Sequence, residues 1–129
     1  SWAISLECGI TTDVTGTAGH PPHRFGRSHL CDLYWTIEQM IAHHTSNGCN
    51  LRPGDLLGSG TVSGPTKDAL GCLLEITCDG TDPIEVGAET RTYLEDGDEI
   101  VLTGWCERPG FRSIGLGECR TAVVEAADF

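Results

Sequence analysis

TRTYLEDGDEIVLTGWC, Thr90–Cys106, reads as a strand over Thr90–Leu94, a turn at Asp96-Gly97 and a second strand over Glu99–Cys106. The same grammar extends to both sides. Upstream, Pro53-Gly54-Asp55 turns the chain into an apolar stretch around Leu56–Val62, and Leu73–Cys78 reads as a strand ended by Asp79-Gly80. Downstream, Gly110–Gly117 and Cys119–Val124 complete the set. At the N-terminus Trp2, Ile4, Leu6 and Cys8 alternate with smaller or polar residues, the period of a half-buried strand. Between them, Thr11–Arg27 is rich in Thr, Gly, His and Pro and reads as a long loop.

One helix is predicted. Ser28 can cap it, Asp32 sits in its first turn, and Leu30, Leu33, Tyr34, Ile37, Met40, Ile41 and His44 recur at three- and four-residue spacing. His43 and His44 close it, and Asn47-Gly48 offers a left-handed stop after roughly 18 residues. His44 falls on the apolar face and reads as a hydrogen-bonded core histidine. With a single helix, parallel crossovers cannot link all these strands, so most pairing should be antiparallel. The expected fold is mainly β (α+β): a mixed β-roll or sandwich with one packed helix, residues 1–129 forming a single unit.

Composition agrees. The chain has 129 residues, 39% of them hydrophobic, enough for one core. Seventeen glycines favour strands and tight turns over a helical bundle. A formal charge of −11 argues against nucleic acid and anionic membranes as partners, and no stretch resembles a membrane span or signal peptide. Seven cysteines cannot all pair and none are spaced C-x-x-C, which favours reduced thiols in a cytoplasmic protein. A chain that opens inside a strand without Met reads as a piece of a longer one.

Two stretches tempt a metal assignment. His20 and His23 flank two prolines on an extended loop with no partner spaced to complete a ligand set. Glu95-Asp96-Gly97-Asp98-Glu99 lacks the spacing and terminal bidentate Glu of a calcium loop. Both read as non-metal segments.

NGCNLRPGDLLGSGTVSGP, Asn47–Pro65, closely resembles a block of the fumarylacetoacetate hydrolase family, in its fumarylacetoacetase branch. The resemblance runs back through YWTIEQMIAHH (Tyr34–His44). It runs forward through LLEI (Leu73–Ile76), the GT-x-P-I turn (Gly80–Ile84), Thr90–Cys106, where it implies a hairpin turn at Glu95–Glu99, and IGLGEC (Ile114–Cys119). It implies the C-terminal portion of a larger catalytic domain with the fumarylacetoacetate hydrolase-like fold. The activity implied is homodimeric, metal-dependent hydrolysis of a carbon–carbon bond in 4-fumarylacetoacetate to fumarate and acetoacetate, a step of tyrosine and phenylalanine breakdown. Magnesium or calcium would polarise the diketone.

Residue by residue, the resemblance makes Glu75 the catalytic-site glutamate paired with the family's histidine base, and Thr61 a substrate contact. On their own, Thr61 reads as a strand threonine bonded to backbone and Glu75 as a solvent-facing strand residue; the family match reverses the reading of Glu75. The family's metal carboxylates, histidine base and lysine and arginine contacts have no counterpart here: no E-x-E occurs and Lys67 is the only lysine. No metal ligand is therefore assigned in this chain, and the N-terminal part of the same enzyme is the implied partner. Two other readings stay open, a non-catalytic stand-alone β module and another superfamily reaction such as β-diketone hydrolysis or decarboxylation.

Overall fold

A computed structural model describes residues 2–127. In chain order the elements are β1 (Ile4–Thr11), α1 (Asp13–Thr17), β2 (His23–His29), α2 (Ile37–Thr45), α3 (Leu73–Ile76), β3 (Ile84–Val86), β4 (Glu89–Arg91), β5 (Glu99–Cys106) and β6 (Ile114–Ala122). The fold is mainly β, with two antiparallel sheets: four strands in the order β2-β1-β5-β6, and the hairpin β3-β4.

The N-terminal alternation is realised from Ile4 onward, while Trp2 precedes β1 and is exposed. Ile4, Leu6, Cys8 and Ile10 sit opposite Cys106, Gly104, Leu102 and Ile100 of β5, so the pleat gathers them on one face. Gly104 makes that face close: a Cβ there would lie 3.3 Å from Leu6 Cδ2 and 3.2 Å from Leu116 Cδ1. The other face is polar, with Glu7 paired to Arg24 and the Arg27 guanidinium 4.8 Å over the Trp105 ring.

Several expectations are corrected. The stretches Gly110–Gly117 and Cys119–Val124 are not two strands but one, β6, pairing along β5, and the strand expected over Thr90–Leu94 is the shorter β4. Thr11–Arg27 is not one loop: a Thr12–Thr15 capping box starts α1, and His23–His29 forms edge strand β2. The long helix is not formed either. Ser28 is buried in β2 opposite Leu6, Leu30–Asp32 is a single 3-10 turn, and the helix starts at Thr36, whose capping box with Gln39 sets its register. Leu30 and Leu33 are half-buried and Tyr34 is exposed, so their helical spacing belongs to no helix. Nor is α2 the packed helix. It has no buried residue, and His44 is exposed with its Nε2 3.3 Å from Cys49 Sγ, not a core histidine. Finally, Leu73–Cys78 is not a strand; it is helix α3 followed by a left-handed turn at Cys78 and Asp79 (φ 49° and 56°).

What covers the apolar face at β2 is the segment before and through α3. The Leu70 carbonyl would lie 2.6 Å from a Cβ on Gly26, with Ile76 Cδ1 beside it. Among the described residues, Ile10, Val62, Ile76, Val86 and Val101 are the buried hydrophobic ones. The two sheets are joined by charge. Arg91 at the end of β4 and Asp98 before β5 are both buried and paired, so the turn Glu95–Asp98 links the two sheets instead of closing a β4–β5 hairpin. The Thr12 hydroxyl in turn binds Glu89 of β4.

The surface is large. Its 9328 Å² compares with about 6,600 Å² for a compact monomer of 13.8 kDa. Large apolar side chains contribute to it, with Trp2, Tyr34, Trp35, Leu56 and Phe111 more than half exposed.

Candidate functional site

The site forms where GTVSGP (Gly60–Pro65) lies against the run leading into α3. Helix α3 is one turn long, and the Thr77 hydroxyl closes it by donating to the Leu73 carbonyl at 2.8 Å. That turn buries Ile76 and turns Glu75 outward. The Glu75 carboxylate is not left to water. Ser63 Oγ donates to its Oε2 at 2.5 Å, and Cys72 Sγ donates to the same oxygen at 3.4 Å. Ser63 Oγ itself accepts the Gly71 amide N–H at 3.1 Å. The Ser63 hydroxyl is the chief cause holding the Glu75 carboxyl below the ordinary glutamate range; slight desolvation opposes it, and the Cys72 thiol and Gly71 amide reinforce it.

Two glycines allow this approach. The Gly64 amide donates to the Ala69 carbonyl at 2.7 Å, clasping the segments. At Gly71 an added Cβ would lie 2.4 Å from the Val62 carbonyl oxygen and 2.7 Å from Thr61 Cγ2. The Val62 side chain is buried, so its backbone cannot retreat cheaply. Gly71→Ala is accordingly expected to part the segments, breaking the Gly71–Ser63 bond and costing roughly 1–3 kcal/mol. Urea unfolding checks this; a midpoint equal to that of the unsubstituted protein would contradict it.

Thr61 and Glu75, the two residues singled out by sequence, are thus brought to one place: Thr61 against Gly71, Gly71 on Ser63, Ser63 on Glu75. Thr61 is exposed. Sequence reasoning missed Ser63, Gly71 and Cys72. For Ser63 a signal existed, since it stands two positions beyond Thr61 in the same block; the partnership of Cys72 has none, because a thiol inside an apolar run reads as a hydrophobe.

Elsewhere, charged groups are spent on structure. Lys67 pairs with Asp82, and Tyr93 donates to Asp79 at 2.5 Å, which pushes the phenol up. Asp98, within the tempting acidic run, receives Arg91 and the Glu95 amide. Among the described residues no three His, Cys, Asp or Glu side chains converge as metal ligands. Chemically, the site offers an ionised carboxylate with both side-chain donors on Oε2, so Oε1 can take an N–H from a base.

A family model described as Fumarylacetoacetate (FAA) hydrolase C-terminal matches residues 7–124. The chain is 50% identical over 123 residues to the fumarylacetoacetase of Homo sapiens, covering 95% of this chain and 29% of that one. To that of Caenorhabditis elegans it is 47% identical over 123 residues, covering 95% and 29%. To that of Mus musculus it is 48% identical over 127 residues, covering 98% and 30%. The chain therefore spans less than a third of the length of these relatives.

Proposed function

Because this chain belongs to the fumarylacetoacetate hydrolase family, we propose that it is the part of a fumarylacetoacetase that carries the carboxylate partner of the base and a substrate-contacting threonine. The reaction is hydrolysis of 4-fumarylacetoacetate. Water oxygen bonds to the carbonyl carbon of the fumaroyl side, the adjacent carbon–carbon bond breaks with its electron pair on the acetoacetate carbon, and that carbon takes a proton. Fumarate and acetoacetate leave.

In this reading the histidine base comes from the rest of the enzyme. Glu75 accepts its N–H on Oε1, fixes its tautomer and stabilises the imidazolium formed when water is deprotonated. Thr61 holds the substrate. The observation that carries the reading is the Glu75 carboxylate held by Ser63 and Cys72, with Thr61 two positions before Ser63 in the same segment. A divalent cation, magnesium or calcium, would polarise the diketone, but the described acidic groups do not fit one: Asp98 is committed to Arg91 and Glu75 to its donors. Such a metal belongs to ligands outside this chain. The large exposed apolar surface supports contacts with the remainder of the enzyme and a homodimer, and seven unpaired thiols support a cytoplasmic setting.

The full-length enzyme tests this. It is expected to release fumarate and acetoacetate in equal amounts, to lose turnover to a chelator and to regain it with magnesium or calcium. Thr61→Val should raise KM severalfold with a smaller effect on kcat. A folded enzyme that releases carbon dioxide instead, or leaves the diketone intact, would overturn the reading.

A further inference from the structure

We propose that Ser63 is the positioning residue for Glu75, selecting the carboxylate oxygen that meets the base, and that the Cys72 thiol sets how strongly that carboxylate acts on it. This rests on the reading that Glu75 partners the base.

A serine hydroxyl has one proton and two lone pairs. The Gly71 N–H occupies a lone pair of Ser63 Oγ at 3.1 Å, so the proton is directed away from Gly71 and onto Glu75 Oε2 at 2.5 Å. The relay runs one way: Gly71 N–H to Ser63 Oγ, then Ser63 O–H to Oε2. Cys72 adds its thiol to the same oxygen at 3.4 Å, a weaker donor at longer range. Oε2 is engaged twice, while Oε1 receives no hydrogen bond from the described side chains. A hydroxyl bond to an ionised group is short and directional, which holds an exposed glutamate in one orientation despite its three rotatable bonds. The groups that face Glu75 are these two side chains and the Gly71 amide; no charged side chain shares the work.

Each donor removed makes the carboxylate more basic, and a more basic carboxylate holds the proton on the imidazole more tightly. The acid limb of kcat against pH must then move upward. In the full-length enzyme, Ser63→Ala is expected to lower kcat about tenfold with KM little changed and to shift the acid limb to higher pH. Ser63→Thr, which keeps the hydroxyl, should restore both. Cys72→Ala should shift the limb upward by less, and Cys72→Ser, a stronger donor, should shift it downward. That opposed ordering is the signature of hydrogen bonds to Glu75, and a packing role would not produce it. It also stands if Ser63→Ala fails to fold. Glu75→Gln separates the two claims. If Glu75→Gln collapses kcat while the Ser63 and Cys72 variants leave the limb in place, the positioning role is overturned and the Glu75 reading survives. If Glu75→Gln leaves kcat within threefold, both are overturned.

Discussion

Glu75→Gln in the full-length enzyme is expected, on the proposed pairing of Glu75 with the base, to lower kcat by about 10²–10⁴ while KM changes little, because that interaction would strengthen only as the base takes its proton. The geometry explains why so conservative a change is severe. Ser63 O–H and Cys72 S–H both donate to Oε2. A glutamine amide can satisfy them only by turning its carbonyl toward them, which aims its NH2 at the incoming imidazole N–H. Donor then meets donor, so the base is repelled as well as left without its counter-charge. The carboxyl of Glu75 is held below the usual glutamate range, so it stays ionised as pH falls through about 5 and is neutralised only below its depressed value. Steady-state kinetics with circular dichroism as the folding control measure the effect. A folded Glu75→Gln enzyme within threefold of the parent would refute the assignment.

The largest effect on stability is expected at Asp98. Arg91 Nε donates to Asp98 Oδ2 at 2.9 Å and its Nη2 to Oδ1 at 3.1 Å, a two-pronged pair in which Asp98 is 1% exposed and Arg91 8%. The Glu95 amide also donates to Oδ2, closing the turn, and Arg91 reaches the Thr90 carbonyl and Glu89. Asp98→Ala leaves a buried guanidinium without its main counter-charge and frees the junction between the sheets. The expected cost is about 3–5 kcal/mol, a large part of the 5–15 kcal/mol typical of a whole domain. Asp98→Asn, which keeps the shape and one acceptor, should cost less. In a double-mutant cycle, Arg91→Leu with Asp98→Leu should be much less destabilising than the two single changes summed, since no charge is stranded. Urea unfolding decides; a loss under about 1 kcal/mol for Asp98→Ala would show that the pair does not carry the junction.

Strand β1 was legible because it alternates along its own length, a local property of the chain, and β5 because an apolar run follows the turn at Asp96-Gly97. The turns were legible for a similar reason, as Asp96-Gly97 and Pro53-Gly54 state their backbone needs within four residues. The true start of α2 is also written in Thr36 and Gln39, but Leu30, Leu33 and Tyr34 extend the helical spacing of the apolar residues upstream of it. Leu73–Cys78 misled because a short apolar run suits a strand or a buried helical turn equally well, and only the left-handed residues at Cys78 and Asp79 end it as a helix. Strand β2 has no apolar period, being an edge strand of His, Arg and Gly that owes its conformation to β1.

The candidate site divides along the same line. Sequence by itself determined the mainly β class, the membership read from GTVSGP and LLEI, and the choice of Thr61 and Glu75. Only the tertiary structure decided that Ser63 meets Glu75 twelve positions away, that Arg91 and Asp98 join two sheets, and that α2 stays uncovered. The reason is range. Propensity and periodicity act over a few residues, whereas the Ser63–Glu75 bond exists because Gly71 lets one backbone settle against the Val62 carbonyl of another, a contact that depends on the shape of both segments at once.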